Sequence, residues 1–170
     1  MVFLENSNPK LFPTRPRPSK ILGDVVCGLN NDWDGSRQPI DAVEVFEHIR
    51  DVRDPEHPYS LETLGVLSED SIQVDDQLNR VCVHFAPTIP GCSMATLIGL
   101  SIKVKLLRSL PRRFKVSVRC SPGSHETEDD INKQLADKER VAAALENPAL
   151  LKLINNCISP AVTREDSDIS

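Results

Sequence analysis

Between Pro39 and Val52 the apolar residues recur at helical spacing. Ile40, Val43, Phe46, Ile49 and Val52 follow one another at three-residue steps, while Asp41, Glu44, Glu47 and Arg50 fall elsewhere. One apolar stripe of this period predicts an amphipathic helix. Pro55 and Pro58 stop it. Ser60 is then placed to cap a short helical turn, with Glu62 and Thr63 suited to that first turn. After Gly65 the period changes to two. Ile72 and Val74 alternate with polar neighbours, and so do Val81, Val83 and Phe85. These two runs predict a hairpin, turned by the polar segment Asp75–Asn79 and closed by Pro87 and Pro90.

From Cys92 to Leu110 the pattern is ambiguous. SIKVKLL alternates like a strand, yet the run is too long and too free of proline for one strand. Length favours a helix, buried in its first half, with Ser93 suited to its N-cap. A third strand follows in RRFKVSVRCSP, with Phe114, Val116, Val118 and Cys120 on one face. Thr127-x-x-Asp130 is a variant of the capping box. It predicts one helix to about Leu145, with Ile131, Leu135 and Val141 turned inward. PALLKLINNCI predicts a last short helix, with Pro148 at its first turn. The order is α-β-β-α-β-α, an α+β domain of two layers with a small mixed sheet. So small a sheet leaves edge strands that favour pairing with another chain.

The ends have a different composition. NPKLFPTRPRPSK sets Pro9, Pro13, Pro16 and Pro18 among basic residues, and proline at this density defeats helix and ladder alike. Residues 1–37 are therefore expected to form an extended or disordered tail that folds onto a partner or serves solubility. The domain is expected over 38–159, and residues 160–170 are expected to fray. No signal peptide is seen, and no window approaches the roughly 18 apolar residues of a membrane span. The expected location is the cytosol or nucleus.

Charge changes the picture more than its net value of −5 suggests. Asp32 to Asp76 holds thirteen acids and three bases, Gln77 to His125 no acids and eight bases, and Glu126 onward ten acids and five bases. A basic block between acidic flanks fits internal pairing, an acidic partner or nucleic acid. Aromatic residues make up only 4 % of the chain, which disfavours a stacking platform for single strands. The bases also fall on several elements rather than one recognition helix.

Candidate chemistry centres on cysteine. The five cysteines are Cys27, Cys82, Cys92, Cys120 and Cys157, odd in number, widely spaced and without a C-x-x-C. They form neither a disulfide framework nor a zinc ribbon. Cys92 follows Pro90 and Gly91 at the predicted start of a helix. There the free N–H groups and partial positive charge lower a thiol pKa. The nearest acids in sequence are Asp76 and Glu126, and Thr88, Ser93 and Thr96 add hydroxyls. The position fits a reactive thiol or a packed one. In DPEHP, Asp54 and Glu56 sit on a proline-stiffened turn, which could orient a thiol or bind a metal transiently, or simply stop a helix. Cys82 and His84 share one strand face and could begin a metal site, if His57 or His125 converged on them. Cys120 and Cys157 read as core. No phosphate loop, His-x-x-x-His or serine nucleophile elbow is present.

Three long stretches carry a resemblance: IRDVRDPEHPYSLETLGVL, TIPGCSMATLIGLSIKVKLLRSLPRRFKV and NKQLADKERVAAALENP. From about Pro39 to Ser159 the chain closely resembles the eukaryotic cytosolic iron–sulfur assembly component 2 family. Its core domain is similar to the bacterial SufT and PaaD proteins, and NSNPKLFP resembles the start of the B-type. The resemblance implies a non-enzymatic adaptor of the complex that delivers clusters to cytosolic and nuclear apoproteins. The implied partners are a WD-repeat β-propeller protein, a HEAT-repeat protein, client apoproteins and a second copy of the chain. A link to chromosome segregation is implied as well. Cys92 falls at the family's reactive cysteine, and Asp54, Pro55 and Glu56 fall on its DPE. No tightly bound cofactor is implied, at most a transient iron–sulfur cluster carried through Cys92 in a dimer. Gly91 departs from the histidine common before that cysteine in eukaryotic B-type members, so any role of that histidine is missing here.

Overall fold

The computed structural model describes residues 9–16, 39–88 and 94–159. The elements are α1 (Ala42–Ile49), β1 (Ile72–Asp75), β2 (Arg80–Phe85), α2 (Ala95–Ser109), β3 (Lys115–Cys120), α3 (Glu128–Ala136), α4 (Lys138–Glu146) and α5 (Pro148–Ile158). This is an α+β fold with a three-stranded mixed sheet. The order is β1-β2-β3, with β1 antiparallel and β3 parallel to the central β2.

Register follows the alternation. Ile72 pairs with Val83 and Val74 with Val81; across the parallel side, Val81, Val83 and Phe85 meet Val116, Val118 and Cys120. The apolar sets thus form continuous rows on one face, which a slip of one residue would turn outward. The hairpin turns where the polar segment predicts. Asp75 Oδ1 accepts from Leu78 N–H at 2.8 Å, and Asn79 takes the left-handed conformation, φ 53°, that asparagine tolerates.

α2 crosses over between the parallel strands and lies on the buried face. Ala95, Leu97, Ile98, Leu100, Ile102, Val104 and Leu106 are all buried, because α2 packs on β3 while α1, α3 and α5 pack on α2. Covered from several sides, α2 has no polar stripe for most of its length, which explains why its period reads ambiguously. Gly99 permits the close approach: a Cβ there would lie 2.5 Å from Leu135 Cδ1 and 3.2 Å from the Phe85 ring.

Three local expectations are corrected. In α1 the buried face is Val45, Phe46 and Ile49, while Val43 is exposed. Steps of three drift around a 3.6-residue helix, and the pair Val45–Ile49 holds the face better. α2 begins at Ala95 with Met94 in the N-cap position; Ser93, expected there, lies outside the described residues. The single helix expected to Leu145 is two, because Asp137 is extended (ψ 107°) and its carboxylate accepts from the N–H groups of Glu139 and Arg140, capping α4. Thr127 makes no side-chain cap to α3; instead His125 Nδ1 accepts from its N–H at 3.1 Å. Ser60 does cap its turn, accepting from Thr63 N–H at 3.2 Å.

Candidate functional site

Segment 50–60 leaves α1 and folds into a tight turn. Leu61 N–H donates to Val52 O at 2.7 Å, Asp54 N–H to Tyr59 O at 3.0 Å, and Arg53 and Ser60 form an isolated bridge. Within this mouth Asp54 Oδ1 accepts from the N–H groups of Glu56 at 2.8 Å and His57 at 3.1 Å. The aspartate thus shapes its own turn, as this residue type favours. Asp54 is buried, His57 half-buried and Glu56 exposed.

The turn is anchored from far away. Arg53 N–H donates to Cys157 O at 2.8 Å, and Arg53 Nη2 to the carbonyls of Asn156 at 2.8 Å and Ser159 at 3.3 Å. A guanidinium at a helix C-terminus satisfies carbonyls that have no intrahelical donor and complements the helix dipole. An open groove runs between turn and helix, lined by Arg53, Asp54, Glu56, His57, Leu153 and Cys157 among others.

Donor atoms of Asp54, Glu56 and His57 all lie within 4.8 Å of one another. His57 Nε2 is buried and has no hydrogen-bond partner. Two carboxylates and an imidazole suit a borderline divalent cation, and three protein ligands leave positions open. Sequence spacing places the two acids on one turn, and the structure adds His57 from the same turn. Arg53 is not visible as a site residue in the sequence, since its acceptors lie more than a hundred residues away.

The other candidates lie apart. Cys82 and His84 sit half-buried on the open face of the sheet, beside Gln73, Ser117 and the basic Arg80, Lys115 and Arg119. Among the described residues no third His, Cys, Asp or Glu joins them in a cluster. His125 is buried and engaged by Thr127. Thr88 and Thr96 are half-buried, one ending the stretch after β2 and the other in the first turn of α2. Cys92 and Ser93 lie outside the described residues. The basic block is partly paired internally: Arg113 faces Asp76 at 3.6 Å and lies over the Phe114 ring, and Arg108 donates to Asn155 Oδ1. Lys103 donates to Leu135 O, and its burial lowers its pKa.

Cys120 and Cys157 are core thiols. Burial raises the pKa of both; Asp54 raises that of Cys157 further, while hydrogen bonds to Ser124 and Ser101, respectively, act in the opposite sense. At neutral pH both should be alkylated by iodoacetamide at least about tenfold more slowly than in denaturant, with rates still climbing above pH 9. Residue-resolved mass spectrometry checks this; rapid labelling of Cys157 at pH 7 would mean that its cover opens.

The Arabidopsis thaliana protein AE7 is 52% identical over 155 residues, covering 91% of this chain and 95% of that one. The galla-2 protein of Drosophila melanogaster, named for the MIP18 family, is 52% identical over 156 residues, 92% of this chain and 96% of its own. The chain belongs to the MIP18 family. Residues 42–120 also match the family described as iron-sulfur cluster assembly protein. The mouse cytosolic iron-sulfur assembly component 2B is 53% identical over 156 residues, 92% of this chain and 91% of that protein. The matched family region runs from α1 to the end of β3, so it includes the Asp54–His57 turn, the whole sheet and position 92. Among the described residues, no helix of this MIP18 chain is long and apolar enough to cross a membrane.

Proposed function

We propose that this chain is a non-enzymatic adaptor in cytosolic iron–sulfur assembly, helping to deliver clusters to cytosolic and nuclear apoproteins. The observation that carries the reading is the match to the mouse protein named cytosolic iron-sulfur assembly component 2B, over 92% of this chain and 91% of that protein. The partners in this reading are a WD-repeat propeller protein, a HEAT-repeat protein, the clients and a second copy of the chain. Its compartments are cytosol and nucleus, with the link to chromosome segregation that the resemblance implies. Cys92 is its reactive thiol, acting at an interface or in transient contact with a cluster, which is cargo rather than a resident cofactor.

The test is affinity purification of the tagged chain from its own cytosol, beside Cys92→Ala, with mass spectrometry and radioactive-iron loading of clients. Propeller and HEAT-repeat proteins are expected with both versions, and reduced client iron with Cys92→Ala. Their absence from both would overturn the adaptor reading. Undiminished client iron in the variant would remove the chemical role of the thiol.

A second reading, a transient carrier of iron or a cluster, is favoured by the three metal-type donors at Asp54, Glu56 and His57. Clusters are usually held by four thiolates, so a carrier working through Cys92 would have to pool ligands in a dimer. Anaerobic reconstitution giving visible thiolate-to-iron absorption is expected of such a carrier; a colourless, iron-free dimer counts against it.

A further inference from the structure

Residues 9–16 lie over the surface between α1 and the 60–69 turn, and their contacts are those of a bound peptide. Phe12 N–H donates to Thr63 O at 2.8 Å. Arg15 N–H donates to Glu62 Oε1 at 2.8 Å, and the Arg15 carbonyl accepts from Arg50 Nη2. One residue of the segment thus has both main-chain groups held by a single side-chain ion pair. That pair ties the end of α1 to the 60–69 turn. With the segment in place Arg50 and Glu62 are 3% and 8% exposed, with Nε to Oε2 at 2.8 Å and Nη2 to Oε1 at 3.0 Å.

Side chains are read as well. The Phe12 ring rests on Gly65, where a Cβ would lie 2.7 Å from the ring and where φ of +69° already favours glycine. The Arg15 guanidinium pairs with Glu69. Around Arg50 and this groove stand three acids, Glu47, Glu62 and Glu69, against one base, while the segment carries Lys10 and Arg15 and no acid. No residue of the segment belongs to the hydrophobic core, and residues 10–16 are exposed, Phe12 to 42%. The segment is laid on a finished surface, as a ligand would be.

We propose that this surface is a peptide-binding site whose intramolecular occupant is residues 9–16. In trans it accepts an extended basic segment with an aromatic residue three positions ahead of an arginine. The Arg50–Glu62 pair reads the backbone, Gly65 the aromatic ring and Glu69 the arginine. A tethered occupant acts at an effective concentration on the order of millimolar, so it masks the site from a weak competitor. A partner reaches the groove by presenting the same pattern more tightly, or alongside a second contact. The inference stands apart from the iron–sulfur reading and survives or fails without it.

The test uses the full chain and a fluorescein-labelled peptide PKLFPTRP, read by anisotropy. F12A/R15A, which weakens the tethered segment, is expected to bind the peptide about tenfold more tightly than wild type. Adding Glu69→Arg, or changing the phenylalanine of the peptide to alanine, is expected to remove that gain. Equal weak binding by wild type and a folded F12A/R15A overturns the proposal. Hydrogen exchange of wild type gives a second reading: slowed exchange at the Phe12 and Arg15 amides supports the contact, and random-coil rates overturn it. A wild-type dimer that dissociates in F12A/R15A would seat the segment on a second copy and overturn the intramolecular assignment.

Discussion

Arg50→Ala should destabilise the fold by about 3–5 kcal/mol, the cost of removing one partner from a buried ion pair. The guanidinium is 3% exposed and faces Glu62 and Glu47, which are 8% and 9% exposed. Burial alone would lower the Arg50 pKa, but hydrogen bonds and charge attraction from Glu62 and Glu47 raise it, so the cation persists at every working pH. Its loss leaves carboxylates in poor solvent with no cation beside them. Urea denaturation is the check: the midpoint should fall with an unchanged slope. Arg50→Met with Glu62→Leu should recover only part of the loss, because the pair with Glu62 is replaced by apolar packing while Glu47 still lacks its cation. A loss below about 1 kcal/mol for Arg50→Ala would mean that water reaches the pair as it does at a surface.

Ile102→Ala should cost about 2–5 kcal/mol. Ile102 is fully buried in the middle of α2, the helix against which α1, α3 and α5 pack and which itself packs on β3. Neighbours held from so many sides have little freedom to close the void. Thermal unfolding and denaturant titration should agree on the loss. A cost under about 1 kcal/mol, in the range of volume-conserving swaps, would mean that the core around α2 collapses readily.

The elements most legible in sequence were those with one face dry and one wet. β2 alternates because Val81, Val83 and Phe85 are buried in the core while their neighbours are not, and its register with both neighbours follows from the same three residues. α2 was legible by length alone, since burial on most sides erases its period. What escaped were decisions made by single polar atoms. Whether the chain breaks at Asp137 depends on one carboxylate finding two N–H groups, and the same sequence could have continued as a helix. At the site, the spacing of Asp54 and Glu56 was readable because it is set within the five-residue stretch DPEHP. The role of Arg53 was not, because its acceptors belong to a helix at the other end of the domain. The binding of residues 9–16 was hidden for a similar reason: a proline-rich sequence says what the segment cannot form, and nothing about the acid-lined groove that receives it.

The reach of Arg53 also sets an order of events during synthesis. Proteins emerge from the ribosome N-terminus first. The turn at 54–58 is therefore made long before the carbonyl of Asn156, which lies 103 residues downstream of Arg53. Until α5 has been translated and docked, the three metal-type donors lack their distant brace. A nascent or prematurely terminated chain would carry the residues of the site without its finished geometry. Whatever recognises the finished turn thereby also certifies that the message has been read at least as far as α5.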